Sequence, residues 1–289
     1  MEVSRALYTA LYPQCEQEEY WNENIRCDGR TFSESRSLSL TTSIVSTSSS
    51  SCLVKLGAST VLVGISLLVG TPLAIAPEDG ELDITIALSP IASSEFMIGQ
   101  MKDQSAVLVH WLSRILLSTP VVCLSDLCIE KGVHAWKIQM DILVIDDDGN
   151  LKDTILSGAL AALKTCTLPA VDVNEEGHVE IVGKGNSLLP LHTLPISTTF
   201  AVKRKHENTK NENENEMENE MENELILCDP LKKETAWTQA SMTILYTPEG
   251  VMCGMDMTGG ADGITITQMK RGMALAKARA TVIGPILSL

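Results

Sequence analysis

The sequence predicts an α+β fold made of two halves of similar element order that share one core. Three observations carry this. Hydrophobic residues make up 44% of the 289 residues and aromatics only 4%, so a sizeable core can form from Leu, Ile, Val, Ala and Met. Runs with period-two alternation are interleaved with runs of helical period. The order strand, helix, strand, helix of the first half then returns, abbreviated, in the second.

The elements follow in order. Residues 1–23 read as an amphipathic N-terminal helix, with Val3, Leu7, Leu11 and Tyr8 on one face. "SLSLTTSIVST" alternates loosely and predicts a strand. In "CLVKLGASTVLVGISLLV" two β-rich runs flank Gly57-Ala58-Ser59, the pattern of a hairpin. "ELDITIALSP" places Leu82, Ile84, Ile86 and Leu88 on one strand face. A helix over 102–118 aligns Val107, Trp111, Ile115 and Leu116, and Pro120 closes it. "AWKIQMDILVID" is a strand, "DDDGN" its turn and "LKDTILSGALAALKTC" a helix of small residues. In the second half "HTLPISTTFAV" (192–202) is a strand. "SMTILYTPEGVMCGMDM" is a hairpin turning at Pro248-Glu249-Gly250. Residues 266–283 form the closing helix.

This divides the chain into the N-terminal helix, a first domain over 24–190 and a second over 191–289, with an insertion at 203–224. Residues 207–224 hold eight Glu and six Asn, too polar to offset ordering entropy by burial, so they read as a solvated loop. The preceding "KRK" reads as its charged flank.

Composition also narrows function. The net charge of −15 opposes a nucleic-acid backbone, so any RNA is expected to be bound weakly by this chain alone. The eight cysteines lack metal-site spacing and read as buried free thiols of a reducing compartment. Structural roles are expected for all five histidines, so no metal and no cofactor is expected. The longest apolar stretch, 61–76, is too short and too interrupted by Gly and Pro for a membrane span, and the N-terminus lacks a secretory pattern. "GKGNS" lacks the following helix a phosphate loop needs. "TGGADGIT" reads as a tight glycine turn.

Six stretches share one order: "RCDGRTFSESR", "SSCLVKLGASTVLVGISL", "DLCIEKGVHAWKIQMDILVIDDDGNLKDTILSGALAALK", "LPISTTFAV", "CDP" and "TGGADGIT". Together they resemble the RNase PH-like subunits of the eukaryotic RNA exosome. The resemblance implies the RNase PH-like fold, two βαβα-type halves packed together, and a ring of six such subunits around an RNA channel. S1/KH cap subunits and the catalytic exosome nucleases are the further partners it implies. The places implied are nucleus, nucleolus and cytoplasm, and the work implied is 3′-to-5′ RNA processing and degradation, rRNA included.

Only some members of that family are phosphorolytic, and the motif positions here are altered. Where active relatives carry Thr-Arg-Ser or Thr-Arg-Thr at a helix start, this chain has Asn150-Leu151-Lys152-Asp153. Leu151 offers no donor, Lys152 lacks the guanidinium fork, and Asp153 reads as a first-turn acid complementing the helix dipole. Of two aspartates six residues apart, Asp229 matches the first and reads as a turn cap with Pro230. Thr235 holds the second position, and Glu234 is one residue off register, which on a strand would reverse its facing. The Ser-x-Arg-Phe loop becomes Ser94-Glu95-Phe96. Arg26, Arg30 and Lys102 are the candidates for weak RNA contacts. The resemblance therefore implies no catalytic residues and a ring subunit whose work is assembly. Two other readings stay open: a phosphorolytic exoribonuclease with a divergent site, and a free-standing RNA-binding module, which the charge disfavours.

Overall fold

The structure, a computed structural model, describes residues 11–93, 96, 101–174, 179–181, 187–204, 224–260 and 264–287. Helix α1 spans Pro13–Asn22, with Pro in its first turn where a missing N–H costs nothing. Strands β1 (Leu38–Thr42), β2 (Ser50–Leu56), β3 (Ser59–Gly70) and β4 (Glu81–Leu88) follow. Helix α2 (Met101–Ser118), a 3₁₀ turn (Leu124–Leu127), β5 (Cys128–Glu130), β6 (His134–Asp146) and helix α3 (Leu151–Thr165) complete the first half. Short strands β7 (Thr167–Leu168), β8 (Val171–Val173), β9 (Val179–Ile181) and β10 (Ser187–Leu188) bridge the halves. The second half holds β11 (Ile196–Arg204), β12 (Glu224–Cys228), the one-turn helix α4 (Lys232–Thr235), β13 (Ala240–Tyr246), β14 (Met252–Gly259) and helix α5 (Ile266–Leu287).

Two sheets form. The first runs β1-β2-β3-β6-β4, with β5 paired to β6, and the second runs β12-β11-β13-β14. The β2–β3 hairpin turns at Gly57-Ala58, as its sequence predicts, with Leu56 opposite Ser59. Strand β4 joins β6 in parallel, and a parallel neighbour requires the crossover that α2 provides. The alternation in β4 is also as expected, with Ile84, Ile86 and Leu88 buried between exposed neighbours.

Helix α3 lies between the sheets. It packs on β2 and β3 of the first and on β11 of the second, and residues Asp153 to Leu163 are all buried. Its small residues suit it to burial on every side. One core therefore joins both halves, from Val54 and Val63 through Leu160 to Phe200 and Ile244. Trp21 of α1 seats on a smaller cluster with Ala201, Leu225 and Leu227 of the second sheet.

Several expectations are corrected. Val3, Leu7 and Tyr8 lie outside the described residues, and Leu11 is exposed; α1 buries Gln17 and Trp21 instead. On α2, Trp111, Ile115 and Leu116 are buried as expected and Leu112 joins them, while Val107 is exposed. The strand expected from 192 begins at Ile196. Strand β12 was not foreseen, because its five residues adjoin the Glu/Asn run. Of that run only Glu224 is described, and it opens β12. Lys203 is no loop flank. It lies in β11, pairs with Glu18 at 2.8 Å and sits 4.8 Å from the Trp21 ring centroid. Of the eight free cysteines, Cys52, Cys166 and Cys228 are buried, Cys15 and Cys27 exposed and the rest intermediate. Burial pushes the thiols of Cys52 and Cys166 up to about 11. Gly259 and Gly260 take φ of +84° and +85°, the turn geometry expected of "TGG". No helix among the described residues is long and apolar enough to cross a membrane.

Candidate functional site

The altered motif positions converge at one seam, where four segments meet. These are the arginine-rich stretch 26–36, the turn between β6 and α3, the start of α3 and the chain leaving β12. The β6–α3 turn lies against the last of these. At Gly149 (φ +91°) an added Cβ would come within 2.4 Å of the Lys232 nitrogen, so only glycine allows this approach. The contact is held by the Lys232 N–H donating to the Asp148 carbonyl at 3.1 Å.

Asp229 is the hub of the seam and not a simple turn cap. Its side chain is wholly buried, and its backbone is left-handed with φ +49°. Its carboxylate accepts from the Arg36 backbone N–H at 2.8 Å, from Arg36 Nε at 2.9 Å and from a terminal Arg36 nitrogen at 2.8 Å. Arg30 reaches it at 3.2 Å and Asn150 Nδ2 at 2.6 Å. Burial alone would push this carboxyl up. The hydrogen bonds and charge of Arg36, then the charge of Arg279 and the Asn150 bond, hold it far below the usual carboxylate range.

Asp153 is likewise more than a helix-dipole acid. It is 2% exposed and ion-paired to Arg279 of α5 at 2.9 Å. It also accepts from the Thr199 hydroxyl at 2.9 Å, from the Thr199 backbone N–H at 3.1 Å and from Asn150 Nδ2 at 2.9 Å. Asn150, at the helix start with φ +55°, thus bridges Asp153 and Asp229. Leu151 packs partly buried against the core. Lys152 turns away from the hub. It pairs with Asp256 of β14 at 2.7 Å and lies 5.5 Å from the Trp111 ring centroid.

Arg26, expected as an RNA contact, is a buried structural cation. Its side chain is fully covered. It grips Glu234 through two nitrogens and donates to the carbonyls of Cys228 at 2.8 Å and Asp229 at 3.0 Å. This leaves no guanidinium face for RNA. Arg30 is slightly exposed and is committed to Asp28 and Asp229. The Lys102 side chain, Ser94 and Glu95 lie outside the described residues, while Phe96 is buried. Glu234 and Thr235 sit on the helical turn α4 and not on a strand. Their side chains therefore face by helical geometry: Glu234 is buried on Arg26, and Thr235 is exposed with its hydroxyl donating to the Leu231 carbonyl at 3.0 Å.

The result is a buried polar network, in which Asn150 Oδ1 and Arg279 Nε have no hydrogen-bond partner among the described residues. Two arginines and one asparagine fill the acceptor sites of Asp229, and a third arginine holds Asp153. Sequence reading placed the acids correctly and missed their cations. Arg36 lies 193 residues from Asp229, and Arg279 lies 126 from Asp153. A second assembly was also missed. Cys123, Asp126 and His192 place ligand atoms within 4.8 Å of one another.

Comparisons with known proteins agree on one relationship. A family model described as the 3′ exoribonuclease family, domain 1, matches residues 34–169, and that family's domain 2 matches residues 218–279. The exosome complex component Rrp42 of Methanocella arvoryzae is 31% identical over 263 residues, covering 91% of this chain and 90% of the relative. The protein of that name from Methanothermobacter thermautotrophicus is 31% identical over 255 residues, covering 88% and 86%. Among solved structures, a chain of the Archaeoglobus fulgidus exosome with RNA bound to the active site has a TM-score of 0.75 at 26% identity, covering 93% of this chain and 95% of that one. A chain of an archaeal exosome core has a TM-score of 0.73 at 24% identity, covering 95% and 96%.

Proposed function

Since the chain belongs to the 3′ exoribonuclease family of RNase PH type, we propose that it is a non-catalytic subunit of an exosome core ring. The RNase PH-like fold and the relatives named as exosome components support the ring. One observation carries the non-catalytic reading: Asp229, the surviving acid of the family pair, is wholly buried and saturated by Arg36, Arg30 and Asn150. A catalytic carboxylate needs an open side toward metal, phosphate or leaving group. The second acid position is the hydroxyl of Thr235, and the phosphate-loop cation Lys152 is engaged by Asp256.

The work of such a subunit is assembly. It completes a hetero-hexameric ring with other RNase PH-like subunits, helps shape the RNA channel and seats an S1/KH cap subunit. The catalytic exosome nucleases and RNA in transit are its further partners, in rRNA processing and RNA degradation in nucleus, nucleolus and cytoplasm. The runs "LVIDDDGNLKDTILSGALAALK" and "LPISTTFAV" favour a subunit of the ribosomal RNA-processing protein 43 type. The Rrp42 names of the curated relatives favour the sister type, protein 42, as the second reading.

Two measurements test this. Purified chain incubated with single-stranded RNA, phosphate and magnesium should release no nucleoside diphosphate above a no-protein control. Co-expression with an RNase PH-like neighbour should give a defined heterodimer by size exclusion with light scattering, with a raised melting temperature. A monodisperse monomer indifferent to every such neighbour would overturn the ring assignment. Phosphorolysis that Asp229→Ala abolishes would overturn the non-catalytic one.

A further inference from the structure

We propose that Cys123, Asp126 and His192 form a binding site for one divalent transition-metal ion, with zinc as the matching metal. Their ligand atoms lie within 4.8 Å of one another, although 66 residues separate Asp126 from His192. The site lies apart from the Asp229 network and serves a different purpose.

The frame around it is built. Cys123 is the residue before the 3₁₀ turn, and Asp126 lies within that turn. The turn is anchored by Val121, Val122 and Leu127, all buried, and by Gly80 donating to the Leu124 carbonyl at 2.8 Å. His192 belongs to the connector that leads into β11. Its backbone N–H donates to the Val121 carbonyl at 3.1 Å, and the Thr193 hydroxyl donates to the Pro120 carbonyl at 3.1 Å. Hydrogen bonds to main-chain carbonyls therefore hold both segments in place before any ion arrives.

The donor set selects the metal. A thiolate, an imidazole and a carboxylate suit zinc, whereas magnesium and calcium prefer oxygen ligands alone. His192 Nε2 and an Asp126 oxygen lie 2.9 Å apart, which is a hydrogen bond. Zinc–ligand lengths of about 2.0–2.3 Å set tetrahedral ligand separations of about 3.3–3.6 Å. Small side-chain rotations reach these values, drawing the sulfur in and opening the His–Asp pair slightly. The ion takes the imidazole lone pair, the proton moves to the other ring nitrogen, and the Cys123 thiol releases its proton to solvent. One thiolate and one carboxylate then neutralise the two positive charges. Ser125 Oγ, 3.5 Å from Cys123 Sγ, is placed to donate toward that thiolate. The half-exposed His192 leaves a fourth position for water. The bound ion would cross-link the 3₁₀ turn of the first half to the connector entering the second.

The test uses the untagged full chain with cobalt(II) chloride as probe and zinc chloride as competitor. One equivalent of cobalt should give a thiolate-to-metal charge-transfer band and tetrahedral ligand-field absorption, both abolished by zinc. Cys123→Ser should remove the charge-transfer band, and His192→Gln or Asp126→Asn should weaken binding on the order of tenfold or more. Peptide mapping after iodoacetamide should show zinc slowing alkylation of Cys123 on the order of tenfold, with exposed Cys15 and Cys27 unchanged. Circular dichroism and melting checks that each variant is folded, and if His192→Gln is not, Asp126→Asn decides. No charge-transfer band, or one that survives both Cys123→Ser and the folded His192 or Asp126 variant, would overturn the proposal.

Discussion

Arg36 and Asp229 stand 193 residues apart in sequence and share three hydrogen bonds of 2.8, 2.9 and 2.8 Å, one from the backbone and two from the guanidinium. The pair joins the segment before β1 to the chain leaving β12, and so ties the two halves together. Arg36 also donates to the Asp148 and Gly149 carbonyls, which brings the β6–α3 turn into the same junction. Asp229 and Arg36 thus hold three segments of the chain at one junction.

Asp229→Asn should therefore destabilise the chain with no RNA present. Arg36 would keep its burial and lose its buried counter-charge, retaining only the more exposed Asp148 carboxylate at 3.3 Å, and breaking a buried pair typically costs about 3–5 kcal/mol. Urea unfolding of the two proteins at neutral pH measures it. The pH dependence follows from the lowered carboxyl. Its stabilisation is full above the unfolded value of 3.8 and is lost as pH falls below it toward the folded value. The gap between wild type and Asp229→Asn should hold from pH 7 to about 4 and narrow below. A gap that closes between pH 7 and 5 would contradict the network.

Arg26 gives a prediction of the same kind with a different readout. Glu234→Ala leaves a fully buried guanidinium without its carboxylate, and the expected loss is again about 3–5 kcal/mol. Stability should fall while RNA affinity, measured by fluorescence anisotropy on the fraction that remains folded, stays unchanged. A variant that keeps its stability and alters RNA affinity would restore Arg26 as a contact residue.

These pairs show which features the sequence made legible. Hairpins and the helix between the sheets follow from local pattern. Gly57-Ala58 needs only its flanking alternation, and α3 only its small and apolar residues. Asp153 and Asp229 were legible as positions, yet their partners Arg279 and Arg36 lie 126 and 193 residues away, and no local period reports such a pairing. The facing of Glu234 was not legible from strand period, because Lys232–Thr235 form a helical turn. Strand β12 was hidden because composition beside it resembles a loop. Cys123 and His192 had no spacing to betray them, since the connector that brings them together folds back from the far end of the first half.

On the proposed non-catalytic reading, placing the family's residues back at these positions, singly or in a pair, should give no phosphorolysis. Thr235 is exposed on α4 with its hydroxyl bonded to Leu231, and Asp229 remains saturated whatever occupies that position. Thr235→Asp, alone or with Lys152→Arg, should release no nucleoside diphosphate from RNA and phosphate above background. Thr235→Asp should shift stability by no more than about 0.5 kcal/mol, as exposed substitutions do. Turnover in either variant would show that the acid pair alone limits activity and that the network is no barrier.

The Glu/Asn run offers the last test, because the strands on either side of it define its span. Strands β11 and β12 are antiparallel, and Arg204 is the direct partner of Glu224. The chain ends on either side of residues 205–223 therefore already stand at hairpin distance. A two-residue turn such as Asn-Gly closes an antiparallel pair of this kind without strain. Replacing 205–223 by Asn-Gly should leave the β11–β12 register, and with it the seat of Trp21 on Leu225 and Leu227, intact. Loop-closure entropy changes slowly with length and favours the shorter connection by about 2 kcal/mol for this reduction. The melting temperature should then hold or rise, and incorporation with an RNase PH-like neighbour should be unaffected. A fall of several degrees, or loss of the heterodimer with the melting temperature preserved, would show that the run contributes to packing or to the interface and is no dispensable insertion.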